Sequence, residues 1–189
     1  MLIVRREQLS ELERELGQHP TKRCALSRAK RLGRKKAALT ANGSSKDRKA
    51  QKKLIDRIRN SGPKGRKFIE SLENAPTNTR IFFGTSAEKK DGTVIPLSST
   101  GGGVTLRPSE SKSGDTEVYV DTSNLINYTA VDGTTATETP EGLLLHELGH
   151  ARLLNDGDPA QTTGGNQAEA NVRTLTNPIR VELGMKPEK

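Results

Sequence analysis

The sequence predicts an α+β fold, in which a small, mostly antiparallel β-sheet packs beside a helix carrying a His-Glu-x-x-His motif. A basic helical segment precedes this unit. Three observations support the prediction. Lysine and arginine are concentrated in the first 75 residues, short β-prone runs alternate with turn residues from 76 to 138, and helical patterns return from residue 139.

The charge distribution divides the chain. Residues 1–75 contain 21 lysines and arginines against 8 acidic residues, whereas residues 76–189 contain 10 against 15. We therefore place a domain boundary between 75 and 76. The basic segment offers a surface for electrostatic docking on secretion machinery or on a host protein, with a solvated helical face as the simpler alternative. Nucleic acid is disfavoured as a partner because Phe68 is the only aromatic residue of this segment.

Composition also limits where the protein can act. No apolar run approaches the 18 residues of a membrane span, and the apolar run at residues 1–4 is too short for the core of a signal peptide. A single cysteine, Cys24, excludes an internal disulfide and suits a reducing environment. We expect a protein without a membrane span that acts in a cytoplasm.

Apolar stripes predict three or four short helices in the basic segment, centred on residues 2–16, 25–32, 54–58 and 68–72. The third should begin at Ser44 or Ser45 and end at residues 60–63, where Asn, Ser, Gly and Pro follow one another.

Four β-prone runs follow, at residues 80–83, 93–96, 103–106 and 117–121. The last is the strongest strand candidate because it combines valine and tyrosine after a Ser-Gly-Asp turn. We consider it as an edge strand that could accept an extended peptide by main-chain pairing, with an ordinary core strand as the alternative.

The His-Glu-x-x-His motif lies in the best-defined helix of the chain. Thr139 is a good N-cap, Pro140 fits the first turn, and residues 155–157 end the helix. His146 and His150 are four residues apart and therefore share a face, so both can bind one metal ion. Glu147 lies beside them, within reach of a water molecule on that metal. This spacing is typical of zinc metallopeptidases.

Catalytic zinc needs a third protein ligand and an open position. No histidine follows His150, so we expect a downstream carboxylate, from among Asp156, Asp158, Glu169, Glu182 and Glu188. Glu169 is favoured because it opens a second predicted helix, residues 166–173, in an arrangement that resembles the thermolysin-like gluzincins. Glu182 is the alternative.

A last helix is predicted at residues 177–185, begun by Pro178 and ended by Gly184. Arg180, Arg173 and Tyr128 are candidates for stabilising a developing oxyanion. A salt bridge within the acidic half is the alternative for Arg180. Asp121 or Asn166 could accept a hydrogen bond from the second ring nitrogen of a metal-binding histidine.

Three segments together resemble the NleD-like zinc metallopeptidase effectors and toxin domains. They are Val-Tyr-Val-Asp at 118–121, Leu-His-Glu-Leu-Gly-His-Ala at 145–151, and Thr-Asn-Pro-Ile-Arg-Val-Glu-Leu-Gly at 176–184. Members commonly carry Glu just before that Asn, where this chain has Thr176. The Leu-Gly-His motif with Glu-Ala-Asn at 169–171 also resembles the ImmA/IrrE-type regulatory peptidases.

The first resemblance implies a zincin-like endopeptidase domain at residues 76–189, with one Zn²⁺ bound by His146 and His150 and with Glu147 as the general base. Because Thr176 stands where the family commonly has Glu, Glu169 is the nearest candidate for the third ligand, with Glu182 as the alternative. It implies a protein that is secreted without a cleaved signal peptide and cuts a protein in the cytoplasm of a host or target cell. The alternatives are a regulatory peptidase of the bacterial cytoplasm, or a non-enzymatic basic binding protein whose site is degenerate.

Overall fold

The computed structural model describes residues 39–189. The helices predicted around residues 2–16 and 25–32, together with His19 and Cys24, lie outside the described residues. The elements in chain order are β1 (Leu39–Ala41), α1 (Ser45–Asn60), α2 (Pro63–Glu73), β2 (Thr79–Phe83), β3 (Ser86–Glu88), β4 (Val94–Pro96), a 3-10 turn (Leu97–Ser99), β5 (Gly103–Leu106), β6 (Thr116–Val120), β7 (Asn127–Thr129), β8 (Thr135–Thr137), α3 (Pro140–Asn155), α4 (Ala160–Thr163) and α5 (Asn166–Glu182). The mixture of small sheets and helices confirms the α+β class.

The main sheet has the strand order β1-β2-β6-β5. The pairs β1–β2 and β2–β6 are parallel, and only β5–β6 is antiparallel. The prediction of a mostly antiparallel sheet is therefore wrong for this sheet. Between β2 and β6 the chain forms the β3–β4 hairpin and then β5. Strand β5 pairs antiparallel with the outer side of β6, and β6 runs in the same direction as β2. A second hairpin pairs β7 with β8.

Helix α1 begins with a capping box. The Ser44 hydroxyl accepts a hydrogen bond from the Asp47 backbone N–H at 3.1 Å, and the Asp47 carboxylate accepts one from the Ser44 N–H at 3.1 Å. Its apolar stripe, Leu54, Ile55 and Ile58, is buried. The start, the end and the stripe of this helix match the sequence prediction.

Helix α2 receives its N-terminal cap from the other end of the chain. The Glu182 carboxylate accepts hydrogen bonds from the backbone N–H groups of Lys64 at 3.1 Å and Gly65 at 2.9 Å. These N–H groups have no partner within their own helix, and the negative charge is favourable at a helix N-terminus. Both carboxylate oxygens of Glu182 are therefore used in this cap.

The predicted boundary between residues 75 and 76 does not separate two cores. Buried side chains of α1, α2, β2, β6, α3 and α5 form a single cluster: Leu54, Ile55, Ile58, Phe68, Ile69, Leu72, Ile81, Val118, Val120, Leu143, Leu144, Leu145, Leu148, Ala151 and Ile179. The described residues all belong to one compact unit. Within residues 39–75, most lysines and arginines are exposed, while the buried stripes of α1 and α2 join the core.

Helix α3 follows its prediction closely. The Thr139 hydroxyl accepts a hydrogen bond from the Gly142 N–H at 3.1 Å, and Pro140 lies in the first turn. Gly157, with a φ of 78°, follows the last turn. By contrast, one helix, α5, replaces the two predicted at 166–173 and 177–185. It continues through Pro178, which removes one backbone hydrogen bond without ending the helix.

Within residues 39–189, none of the helices combines the length and the apolar character that crossing a membrane requires.

Replacing Ile58 by alanine should destabilise the whole unit. Ile58 is fully buried and packs in the same cluster as the motif helix. We expect a loss of about 2–5 kcal/mol in the free energy of unfolding because the substitution leaves a cavity. Urea denaturation measures this, with Lys49→Ala on the exposed face of α1 as control. Unchanged stability in Ile58→Ala would place α1 outside the core.

Candidate metal centre

Two imidazoles lie together on one side of α3. His146 and His150 are one helical turn apart, and their Nε2 atoms are separated by 3.3 Å. Leu144, Leu145 and Leu148 on the same helix are fully buried. Their burial fixes the rotation of α3, and both histidines line a cleft of about 410 Å³.

Glu169, in the first turn of α5, completes the cluster. Its Oε2 lies 3.2 Å from His146 Nε2, and its Oε1 lies 3.4 Å from His150 Nε2. The three ligand atoms fall within 4.8 Å of one another. Two imidazole nitrogens and one carboxylate are a donor set that catalytic zinc uses, with one position left for water. These residues therefore fit one zinc ion, and Glu169 lies where the sequence predicted the third ligand.

The close packing of α5 on α3 depends on Gly149. A Cβ atom at this position would lie 2.9 Å from side-chain methyl carbons of Val172 and Thr176. Thr176 is fully buried, and its hydroxyl donates to the Val172 carbonyl at 2.9 Å. Thr176 thus serves helix packing, and the carboxylate of the site comes from Glu169.

The alternative third ligand, Glu182, is at the other end of α5. Its carboxylate caps α2, as described above. The structure does not bring it to the histidines, because about three and a half helical turns separate it from Glu169 on the same helix.

The Glu147 side chain contacts the neighbouring strand β5. The Thr105 hydroxyl lies 2.7 Å from Glu147 Oε2 and 3.0 Å from the Glu147 carbonyl oxygen. On the other side, a Cβ atom at Gly103 would come within 2.5 Å of Glu147 Oε1. Glu147 is 5% exposed and lines the cleft. A glycine in β5 therefore makes room for this carboxylate, and a threonine two residues later orients it.

The Nδ1 atoms of the two histidines face two side chains, Gln161 and Glu188, that the sequence did not predict for this role. His150 Nδ1 lies 2.8 Å from the side-chain oxygen of Gln161 in α4. The Gln161 amide nitrogen donates to the Ala168 carbonyl at 3.3 Å, which fixes the orientation of that amide. His146 Nδ1 lies 3.6 Å from Glu188 Oε2. Both contacts place an oxygen opposite Nδ1 and leave each Nε2 facing the cluster.

The two residues predicted for that role are elsewhere. Asp121 accepts hydrogen bonds from the Ser123 backbone and hydroxyl at 2.9 and 2.5 Å, and Asn166 is exposed. Asp121 directly follows β6, and its carboxylate caps the turn of the next loop.

Of the three oxyanion candidates, Arg180 is excluded by its burial. It is 0% exposed, and its guanidinium donates to both carboxylate oxygens of Glu138 at 3.2 and 2.5 Å. The Arg173 guanidinium lies 3.6 Å from Glu188. Tyr128 lines the cleft, and its hydroxyl donates to the Lys186 carbonyl at 2.8 Å. The salt-bridge alternative therefore holds for Arg180.

In the metal-free cluster, neighbouring carboxylates raise the pKa of both imidazoles. Burial lowers the pKa of His146, but Glu169, Glu188 and the charge of Glu147 outweigh it and raise that pKa to about 10. Burial also opposes ionisation of His150, whose pKa is nevertheless raised by Glu169 and Glu147. Hydrogen bonds from both histidines hold the pKa of Glu169 well below its ordinary value. In the absence of metal, the cluster is thus an ion-paired network.

Replacing Glu169 by alanine should abolish tight zinc binding. Loss of an outer-shell partner alone costs about 10- to 100-fold in metal affinity, so we expect loss of this ligand to weaken zinc binding by roughly 100-fold or more. The measurement is the dissociation constant in competition with a chromophoric chelator. Glu182→Ala is the control, since it removes the alternative acid. If Glu182→Ala loses zinc and Glu169→Ala keeps it, the assignment is wrong.

The metal-free protein should gain stability from Glu169 in a defined pH window. Raising the pKa of His146 from 6.5 to about 10 gives stabilisation that is complete below 6.5 and is lost as pH rises toward 10. The lowered pKa of Glu169 gives stabilisation that is present above 4.5 and is lost at lower pH. The difference in unfolding free energy between wild type and Glu169→Gln should therefore be largest between about pH 4.5 and 6.5.

Urea denaturation in a metal chelator, from pH 4 to pH 10, measures that difference, with the exposed substitution Glu70→Gln as control. A difference that stays constant from pH 6 to pH 10 would contradict the ion-paired network.

Comparisons with known proteins add no assignment. No protein-family model matches this chain, and no curated protein or solved structure matches it. The resemblances drawn from the motifs therefore stay predictions, and the function is argued from the site.

Proposed function

We propose that the described part of the chain is a zincin-like, zinc-dependent endopeptidase. The observation that carries the proposal is the meeting of His146, His150 and Glu169 within 4.8 Å, on a cleft that Glu147 also lines. Helices α3 and α5 together supply the three protein ligands that one catalytic zinc ion uses. A carboxylate suited to proton transfer lies beside them.

Glu147 is the general base of the proposed reaction. When bound, a zinc ion would supply Lewis acidity, lowering the pKa of water and polarising a carbonyl oxygen. Glu147 accepts a proton from the attacking water and delivers it to the leaving nitrogen. Thr105 orients the carboxylate for both transfers through its contact at 2.7 Å.

The proposed substrate is an extended peptide segment that pairs with β5. Residues 117–121 are not an edge strand, because β6 lies inside the sheet between β2 and β5, and the alternative of an ordinary core strand is confirmed. Strand β5 is the edge next to the cleft, and its residues Gly103, Val104 and Thr105 line it. An edge strand offers unpaired main-chain groups to a peptide, while Thr105 holds the catalytic carboxylate on the adjacent helix.

The cellular setting of the proposal rests on sequence resemblance. The NleD-like resemblance supports a secreted effector or toxin that cuts a cytosolic protein of a host or target cell, and the ImmA/IrrE resemblance supports a regulatory peptidase. A non-enzymatic binding protein was expected to have a degenerate site. The presence of Glu169 beside both histidines counts against that alternative.

Replacing Glu147 by glutamine should separate metal binding from catalysis. The isosteric amide keeps the contact with Thr105 but cannot take a proton, so we expect unchanged zinc content and peptide cleavage reduced by roughly 10²- to 10⁴-fold. Mass spectrometry of a peptide library incubated with zinc-loaded protein measures cleavage. Glu141→Gln, the same change in the first turn of the same helix, is the control. Full activity in Glu147→Gln would refute the proposed role of this residue, and a zinc-loaded wild type that cuts no peptide would refute the peptidase assignment.

A further inference from the structure

The last residues of the chain run beside the β7–β8 hairpin. The Lys189 N–H donates to the Thr129 carbonyl at 2.9 Å, and the Val131 N–H donates to the Pro187 carbonyl at 3.0 Å. An antiparallel bridge pairs Glu188 with Ala130. Residues 186–189, which we call the C-terminal strap, are thus held along the hairpin by an isolated antiparallel bridge and its neighbouring hydrogen bonds.

Helix α5 fixes the strap from its other side. The Asn177 amide nitrogen donates to the Glu188 carbonyl at 2.7 Å, and the Asn177 amide oxygen accepts from the Glu188 N–H at 2.8 Å. One side chain therefore satisfies both backbone groups of Glu188. These two hydrogen bonds set the direction in which the Glu188 side chain leaves the strap.

The Glu188 carboxylate points at the metal centre. Its Oε2 lies 3.6 Å from His146 Nδ1 and 3.4 Å from the Arg180 guanidinium, and its Oε1 lies 3.6 Å from Arg173. The side chain is 18% exposed and lines the cleft. The contact with the imidazole is an ion-pair distance, slightly longer than a hydrogen bond.

A purely structural role, neutralising the buried Arg180, does not account for this carboxylate. Arg180 already has a two-point pair with Glu138, at 3.2 and 2.5 Å. Arg180 donates a further, longer hydrogen bond to Glu188 Oε2, at 3.4 Å, and the same oxygen lies 3.6 Å from His146 Nδ1, so it contacts both groups. Its position is instead the counterpart of Gln161, which faces Nδ1 of His150.

We propose that Glu188 is a positioning residue of the metal centre, and that the C-terminal strap is therefore part of the site. The inference rests on the proposed zinc site. Glu188 favours the imidazole tautomer with the proton on Nδ1, so that Nε2 of His146 is free to bind metal. Its negative charge also makes the imidazole a stronger ligand. Arg180 and Asn177 act one step further out, since they hold Glu188 in place.

The test compares Glu188→Ala, Glu188→Gln and the control Lys189→Ala in the full chain. Lys189 is exposed, and its backbone contact survives the substitution. We expect zinc affinity to fall by about 10- to 100-fold in Glu188→Ala. Glutamine still offers an oxygen to Nδ1, so Glu188→Gln should recover part of that loss. The control should match wild type.

A second measurement, independent of activity, is the NMR signal of the proton on Nδ1 of His146 in the zinc-loaded protein. It should shift in Glu188→Gln and stay in place in Lys189→Ala. Circular dichroism and thermal unfolding show whether each variant is folded. If Glu188→Ala does not fold, the isosteric Glu188→Gln decides.

The inference is overturned if the folded variants bind zinc within about two-fold of wild type and the His146 signal does not move. That result would leave the proposed function intact, because wild type would still bind zinc and cut peptides. A wild type that binds no zinc would instead refute the proposed function itself.

Discussion

The close packing of α3 and α5 at Gly149 is the constraint on which the site depends. A side chain larger than hydrogen at this position would meet Val172 and Thr176. Because the two helices can approach, Glu169 comes within 3.4 Å of both imidazoles. The apolar stripe of α3, buried against α1, α2 and the sheet, prevents the helix from rotating and so keeps the histidines on the cleft.

The opposite wall of the cleft is built by the sheet. Parallel pairing of β2 with β6 leaves the outer side of β6 to β5, which makes β5 the edge strand. Thr105 and Gly103 of β5 shape the space that the Glu147 carboxylate occupies. One short strand therefore orients the proposed base and, in the proposed function, would also pair with the substrate peptide.

Local signals in the sequence are sufficient to predict the motif helix and the position of Glu169. The cap at Thr139 predicts the start of α3, and the predicted helix start before Glu169 identifies the third residue of the cluster. Contacts that depend on strand order were not predictable, such as Thr105 with Glu147, 42 residues apart. Pro178 is a helix-start signal in the sequence, but α5 continues through it. The charge difference near residue 75 predicts a domain boundary, but residues on both sides belong to one core.

The separation of the site residues along the chain has a consequence for when activity can arise. His146 and His150 are neighbours in any helical conformation, but Glu169, Thr105 and Glu188 reach them only through tertiary contacts. A chain kept unfolded therefore carries two weak metal ligands and an unoriented carboxylate. Since zinc would bind the folded state more tightly than the unfolded one, metal supply and folding would reinforce each other. The proposed peptidase activity would then begin only where folding is completed and zinc is available.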